Sequence, residues 1–138
     1  MRILSLFLLF VLSSFKPVAE PDTTADPNRI CGKWESSEKN LVVEVYRYKD
    51  TYKAKMIRFT GGVTKDKPME SITDKNNPDP ALRNRKVLGL DVVETLRYNA
   101  KSNSWEGGRI YEVQSGKYWS AAASLDNKGN LKVKVTRR

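Results

Sequence analysis

Histidine is absent from the 138 residues of this chain. That removes at once the commonest general base, the commonest metal ligand and the Ser-His and Cys-His nucleophile pairs. Cysteine occurs once, as Cys31, so no internal disulfide is available. Flanked by Ile30 and Trp34, Cys31 reads as a buried, inert thiol at the start of a strand. No glycine loop has the chemistry to cradle a phosphate, because Gly61-Gly62 and Gly107-Gly108 lack the Lys-Ser/Thr such loops carry. Helical apolar periodicity of useful length is missing behind the amino-terminal run. These absences leave no cofactor and no metal site to expect. Among catalytic chemistries they leave only a carboxylate pair, as in glycoside hydrolysis. Glu44, Glu94 and Glu106 fall in strand-like segments but read as solvent-facing or salt-bridged side chains. The expectation is a protein without catalytic residues, not an enzyme.

One apolar run is present. After Met1-Arg2, residues 3–12 are apolar except for Ser5, and Ser13-Ser14 follow. A basic start, a short greasy core and small residues behind it have the layout of a secretory signal peptide. At about ten residues the run is half of the roughly 20 that a membrane-spanning helix needs. Residues 1–19 are therefore expected to be a leader ending at Ala19, with Ser13 or Ser14 as competing cleavage points. The protein is then exported, to the periplasm or the extracellular space, with no stable membrane span after cleavage. Cys31 lies too far behind the run to be a lipid-attachment cysteine. Residues 20–28 read as a flexible arm and residues 29–138 as a single β-domain.

Net charge is +9, and about +7 once Arg2 and Lys16 leave with the leader. The basic residues are mixed with acids, as in Lys65-Asp66-Lys67 and Asp74-Lys75. Export and this mixing argue against nucleic acid as a partner. They leave a solubilising surface able to meet an anionic envelope component by simple electrostatics.

The rest of the chain consists of short β-branched and aromatic runs separated by turn chemistry. Residues 41–48 carry the strongest strand signal, Lys49-Asp50 makes the turn, and residues 51–59 return. Gly61-Gly62 ends that strand, and residues 63–85, with Pro68, Pro78 and Pro80, are too irregular to hold a ladder. Extended structure is expected over 87–98, bent near Gly89, and then over 104–113, 117–125 and 131–136. The last connections carry the Gly or Asn that hairpin turns favour. Strands at intervals of roughly 8–14 residues predict an all-β fold, an antiparallel meander closed into a barrel or folded as a sandwich.

Two segments stand out as candidate sites. Within residues 73–85, Asp79-Pro80 is a good N-cap and first-turn pair, which predicts a short helical turn over 80–84. Asp74 and Asp79 are then placed to hold Arg83 or Arg85 by charge-assisted hydrogen bonds. The segment reads as a plug sealing one end of a barrel, or as a lid presenting an arginine to an anionic ligand. In the second segment, period two puts Trp105, Gly107, Arg109 and Tyr111 on one strand face, with Glu106, Gly108 and Ile110 opposite. Trp119, Ala121, Ala123 and Leu125 form an apolar face opposed by Tyr118, Ser120, Ala122 and Ser124. Such small residues either border a small cavity lined by Tyr and Trp or are filled by facing aromatics as core. The residues expected to line a ligand site are Tyr46, Arg83, Arg85, Trp105, Arg109, Tyr111 and Tyr118.

Several blocks, taken in order, carry a family resemblance. They are Gly32-Lys33-Trp34, Asn40-Leu41-Val42-Val43-Glu44-Val45-Tyr46, Thr73-Asp74 and Asn77-Pro78-Asp79-Pro80-Ala81-Leu82-Arg83-Asn84-Arg85. Leu88-Gly89-Leu90, Trp105-Glu106-Gly107-Gly108-Arg109-Ile110-Tyr111 and Ser115-Gly116-Lys117-Tyr118 follow. Together they resemble the domain of unknown function 2147 family, a group of small secreted bacterial proteins, over nearly all of the chain behind the leader. The resemblance implies an exported bacterial protein with a lipocalin-like β-barrel and no established activity, and it transfers no catalytic residue. Members of that family usually continue into a further Gly-rich strand, where this sequence stops at Thr136-Arg137-Arg138. Either the last strand is lost, which leaves a barrel incompletely closed at that edge with Lys132, Lys134, Arg137 and Arg138 discouraging stray pairing, or the ending is divergent. The function expected is non-enzymatic binding of a small amphipathic ligand in the cell envelope. The alternative is an envelope interaction protein that meets anionic polymers or a protein partner through its basic surface.

Overall fold

The computed structural model describes residues 2–8 and 25–137. Eight strands close into one barrel in sequence order. They are β1 (Arg2–Leu8), β2 (Gly32–Ser36), β3 (Leu41–Tyr48), β4 (Thr51–Phe59), β5 (Asp91–Asn99), β6 (Ser104–Glu112), β7 (Lys117–Leu125) and β8 (Leu131–Thr136). From β2 to β8 every neighbouring pair is antiparallel, so the all-β meander stands as expected. Among the described residues no helix is long and apolar enough to cross a membrane.

The barrel is closed, which corrects the expected gap at its carboxyl edge. β1 fills the seam, running parallel to β2, with Arg2 opposite Trp34, and parallel to β8, with Leu4 opposite Leu131. Pairing on both sides satisfies the N–H and C=O groups that two bare edges would leave to solvent. Leu4 is buried in the core. Arg2 lays its guanidinium over the Trp34 ring at 5.1 Å and donates to the Arg29 carbonyl at 2.8 Å. These seven residues come from the segment expected as a leader. Residues 9–24, which hold the rest of that segment and the first part of the expected arm, lie outside the described residues.

One end of the barrel is sealed by the chain just ahead of β2. Asp26 accepts from the Asn28 amide at 2.9 Å and starts a 3₁₀ turn, Pro27–Ile30. Ile30, Trp34 and Trp105 are completely buried against one another's surroundings in the core. A buried indole N–H needs an acceptor, and the turn supplies both. Trp34 Nε1 donates to the Ile30 carbonyl at 2.8 Å and Trp105 Nε1 to the Pro27 carbonyl at 3.2 Å.

Between the ends the interior is aliphatic. Ala121 and Ala123 face inward as the alternation predicts, where they share the lining of the remaining space with Val43, Val45, Val93 and Leu96, and Ala123 stands opposite the buried Trp105 across the strand pair. The space left is about 50 Å³, far below the hundreds of Å³ that enclose a drug-sized molecule.

Two strands depart from their expected form. β5 begins at Asp91, not at 87. The Val87 amide donates to the Ile72 carbonyl and the Gly89 amide to the Met56 carbonyl, so residues 87–90 form a turn beneath a loop instead of a ladder. In β6 a bulge lies between Trp105 and Gly108, where Gly107 adopts φ +69°. The extra residue breaks period two. Trp105, Gly108 and Ile110 face the interior, and Arg109 and Tyr111 face outward. The shared face expected for Trp105, Gly107, Arg109 and Tyr111 is therefore absent.

Candidate functional site

The end opposite the tryptophan plug is crossed by a strap, residues 60–90, that connects β4 to β5. The strap folds on itself where Thr73 and Lys86 form an isolated bridge. Asp79 accepts from the Ala81 amide at 3.0 Å and caps a 3₁₀ turn, Pro80–Leu82, where a short helical turn was expected.

Asp74 pins the strap to the barrel wall. Its side chain is wholly buried. Tyr111 Oη donates to Oδ1 at 2.6 Å, and Asn77 Nδ2 and Arg85 Nε each donate to Oδ2 at 2.8 Å. The Asp74 amide in turn donates to the Arg85 carbonyl at 3.0 Å. A carboxylate survives burial only when its lone pairs are filled and a cation lies beside it, and both conditions hold. Burial and then the Asp74 hydrogen bond push the Tyr111 phenol up to about 12. Burial works against the Arg85 charge, but the hydrogen bond and the charge of Asp74 outweigh it and raise the guanidinium above its ordinary value.

A second tie lies one turn further along. Asn76 Nδ2 donates to the Gln114 carbonyl at 2.9 Å. At Gly116, with φ +69°, a Cβ would sit 2.1 Å from the Asn76 carbonyl oxygen. Only glycine lets the strap lie this close to the turn between β6 and β7.

Beneath the strap a cavity of about 480 Å³ opens at the mouth, inside the range common for small-molecule sites. Leu41, Met56, Phe59, Ile72, Val87 and Val113 provide its apolar walls, and Lys75, Asn76, Glu112 and Gln114 its polar ones. Glu112 is already engaged. It accepts from Ser115 Oγ at 2.7 Å and from Trp119 Nε1 at 2.9 Å, bonds that hold its carboxyl below the usual range. Lys75 is exposed and enters no ion pair among the described residues. The mouth thus combines a greasy wall, one available cation and a carboxylate turned back onto its own hairpin.

Of the seven residues expected from sequence, four gather outside the barrel beside the strap. Arg85 lies 5.6 Å from the Tyr111 ring centre, Tyr111 and Tyr118 are 4.9 Å apart, and Arg109 sits 4.4 Å from the Tyr118 ring. Of these, Tyr111 alone lines the mouth cavity. Arg109 is held by Glu94, to which Nε and Nη2 donate at 3.1 and 2.9 Å. Arg83 donates from Nε to the Asn77 carbonyl at 2.7 Å. Both arginines of the strap are thus tied down within it rather than presented to a ligand. Tyr46 lies on the outer wall, where its hydroxyl donates to Asp91 Oδ1 at 2.5 Å. Burial, then that carboxylate, raise its pKa above the ordinary phenol value. Trp105 belongs to the opposite end, with Arg29 4.7 Å from its ring. Ile72, Lys75, Val113 and Gln114 were not anticipated, since only the return of an irregular segment onto the β6–β7 turn brings them together.

A comparison with curated proteins yields no match. Among solved structures, a protein from the human pathogen Helicobacter pylori described as belonging to the lipocalin family is similar. The TM-score is 0.59 at 24% sequence identity, over 71% of this chain. The chain covers 62% of that protein's length. The likeness shows the fold, a lipocalin-like barrel. Residues 32–136 match the family described as uncharacterized protein conserved in bacteria, DUF2147. With β2 through β8 all inside the matched span, this chain belongs to the DUF2147 family.

Proposed function

We propose that this protein is an exported, non-enzymatic binder of a small amphipathic ligand, held in the mouth cavity. The apolar tail lies among Met56, Phe59, Ile72 and Val113, and an anionic head meets Lys75. One observation carries this reading: the mouth offers about 480 Å³ where the barrel interior offers about 50 Å³. The polarity of the head follows from the engagement of Glu112 and the availability of Lys75. Catalysis finds little support, because the strand carboxylates already have partners. Glu44 pairs with Lys55 at 3.2 Å, Glu94 with Arg109 at 2.9 Å, and Glu106 accepts from Ser102 at 2.8 Å.

Titration of delipidated protein with a medium-chain fatty acid tests the reading, with Trp119 fluorescence as reporter because its indole bonds the cavity residue Glu112. A saturable response is expected, weakened about tenfold by Lys75→Glu and lost when Ile72→Trp fills the space. A wild-type protein without a saturable response sinks it.

Charge favours a second reading. Residues 117–138 hold six Lys and Arg against Asp126 alone, whereas β3 to β6 carry cross-strand pairs such as Lys53 with Asp91 at 3.9 Å. A basic β7–β8 wall suits an anionic envelope polymer. Retention on an anionic matrix in moderate salt, lost on charge reversal at Lys134 and Arg137, would favour it. Elution at low salt would count against it.

A further inference from the structure

Leu41 stands between two spaces of different character. Among the described residues it is the one side chain that lines both the mouth cavity and the barrel interior. Hydrogen bonds fix its place at the start of β3. The Leu41 amide donates to Ser36 Oγ at 3.1 Å, and the Asn40 carbonyl before it accepts from the Thr60 amide at 3.1 Å. Across the strand pair Leu41 faces Phe59. The register then skips Ile57 and sets Met56 opposite Val43. That extra residue lets Met56 and Phe59 both turn inward, where they line the mouth.

Beyond Leu41 the interior is lined by Leu, Ile, Val and Ala alone, from Val43 and Ala54 beside it to Ala121 and Leu131 on β7 and β8. No polar side chain there holds a water, and a space of this kind stays dry. It offers only about 50 Å³, so a tail that fills the mouth meets Leu41 with little room behind it. The polar groups of the mouth, Lys75, Asn76 and Gln114, come from the strap and the β6–β7 turn, whereas Leu41 comes from the barrel wall.

We infer that Leu41 is the length gauge of the mouth. It stops the tail of a single-chain amphiphile above the barrel interior, so the site takes medium-length tails and gains nothing from longer ones. This rests on the amphiphile reading above, which names the kind of ligand but sets no limit on its length. Each buried methylene tightens binding by about fourfold. The gain ends at the carbon that meets Leu41.

The test is calorimetric titration of the protein with straight-chain saturated fatty acids of increasing length, each below its micellar concentration. Wild-type affinity is expected to rise about fourfold per methylene and then to level at a break. Leu41→Ala joins the mouth to the interior and is expected to move the break outward by about three carbons, the number that the substitution removes. Ala121→Val narrows the interior. It should leave the wild-type series unchanged and reduce the shift when combined with Leu41→Ala. Leu41→Phe enlarges the partition and should move the break to a shorter chain, which keeps the inference testable where Leu41→Ala does not fold. The readout is the position of the break, which a general loss of stability does not move. A wild-type affinity that climbs without a break, or the wild-type break in either folded Leu41 variant, overturns the inference and leaves the amphiphile reading standing. So does a wild-type series altered by Ala121→Val. A wild type that binds no fatty acid removes that reading, and the gauge with it.

Discussion

The two ends of this barrel are shut by different chemistry, and the difference determines where space remains. At one end Ile30, Trp34 and Trp105 collapse onto a 3₁₀ turn and are completely buried. Aromatic and aliphatic surfaces are non-directional, so they close until the space is gone. At the other end the strap hangs on Asp74, whose three side-chain donors reach it from Tyr111, Asn77 and Arg85. Those bonds have fixed lengths and directions. They hold the strap at a set distance from the wall, and the cavity of about 480 Å³ is what that distance leaves. A polar pin props open what an apolar plug would fill.

Substitutions can break this contrast from either side. Trp34→Ala should be the most damaging, costing about 4 kcal/mol as expected for a fully buried Trp, measured by urea unfolding. Fatty-acid binding by the molecules that remain folded should persist, since the plug takes no part in the mouth. Asp74→Ala should cost about 3 kcal/mol, because it strands Arg85 and the Tyr111 hydroxyl without their acceptor. Unlike Trp34→Ala, it should also abolish fatty-acid binding in protein that is still folded. Equal effects of both variants on binding would erase the distinction between the ends.

A smaller effect sharpens the same contrast through pH. The Tyr111 phenol is raised from 10 in the unfolded chain to about 12 in the folded one. The folded state therefore holds the proton more tightly, and this contribution is complete below pH 10. It declines as pH rises from 10 through about 12. Thermal unfolding across that range should show a loss of stability that Tyr111→Phe reduces. An identical alkaline profile in the variant would contradict the assignment. Least of all should come from Glu94→Gln on the outer wall. Its partner Arg109 is half exposed, and the change should move stability by about 0.5 kcal/mol or less. A loss as large as that of Asp74→Ala would show that the outer ladder, not the strap, carries the load.

Much of the architecture is legible in the sequence, for local reasons. Leu41–Tyr48, Thr51–Phe59, Lys117–Leu125 and Leu131–Thr136 form strands with the expected bounds. There, alternation and turn chemistry agree. Residues 87–90 have strand composition, yet their amides are claimed by Ile72 and Met56, an arrangement that depends on tertiary contacts. Gly107-Gly108 signals a bend, but which glycine takes the positive φ depends on pairing with β5 and β7. The candidate site was half visible for a similar reason. Asp74 and Arg85 announce charge-assisted bonding and Tyr111 is among the expected site residues, whereas Ile72, Lys75 and Val113 sit in segments without periodicity until the strap returns. The amino-terminal run shows the reverse problem. A short apolar stretch satisfies both a leader and a barrel strand, and composition does not distinguish them.

Methyl-resolved NMR of the protein titrated with a medium-chain fatty acid addresses the central claim most directly. The account predicts saturable shifts at Met56, Ile72 and Val113, with Val43, Val45, Ala121 and Ala123 unmoved. Shifts concentrated at the interior methyls, or none at any methyl, would contradict it.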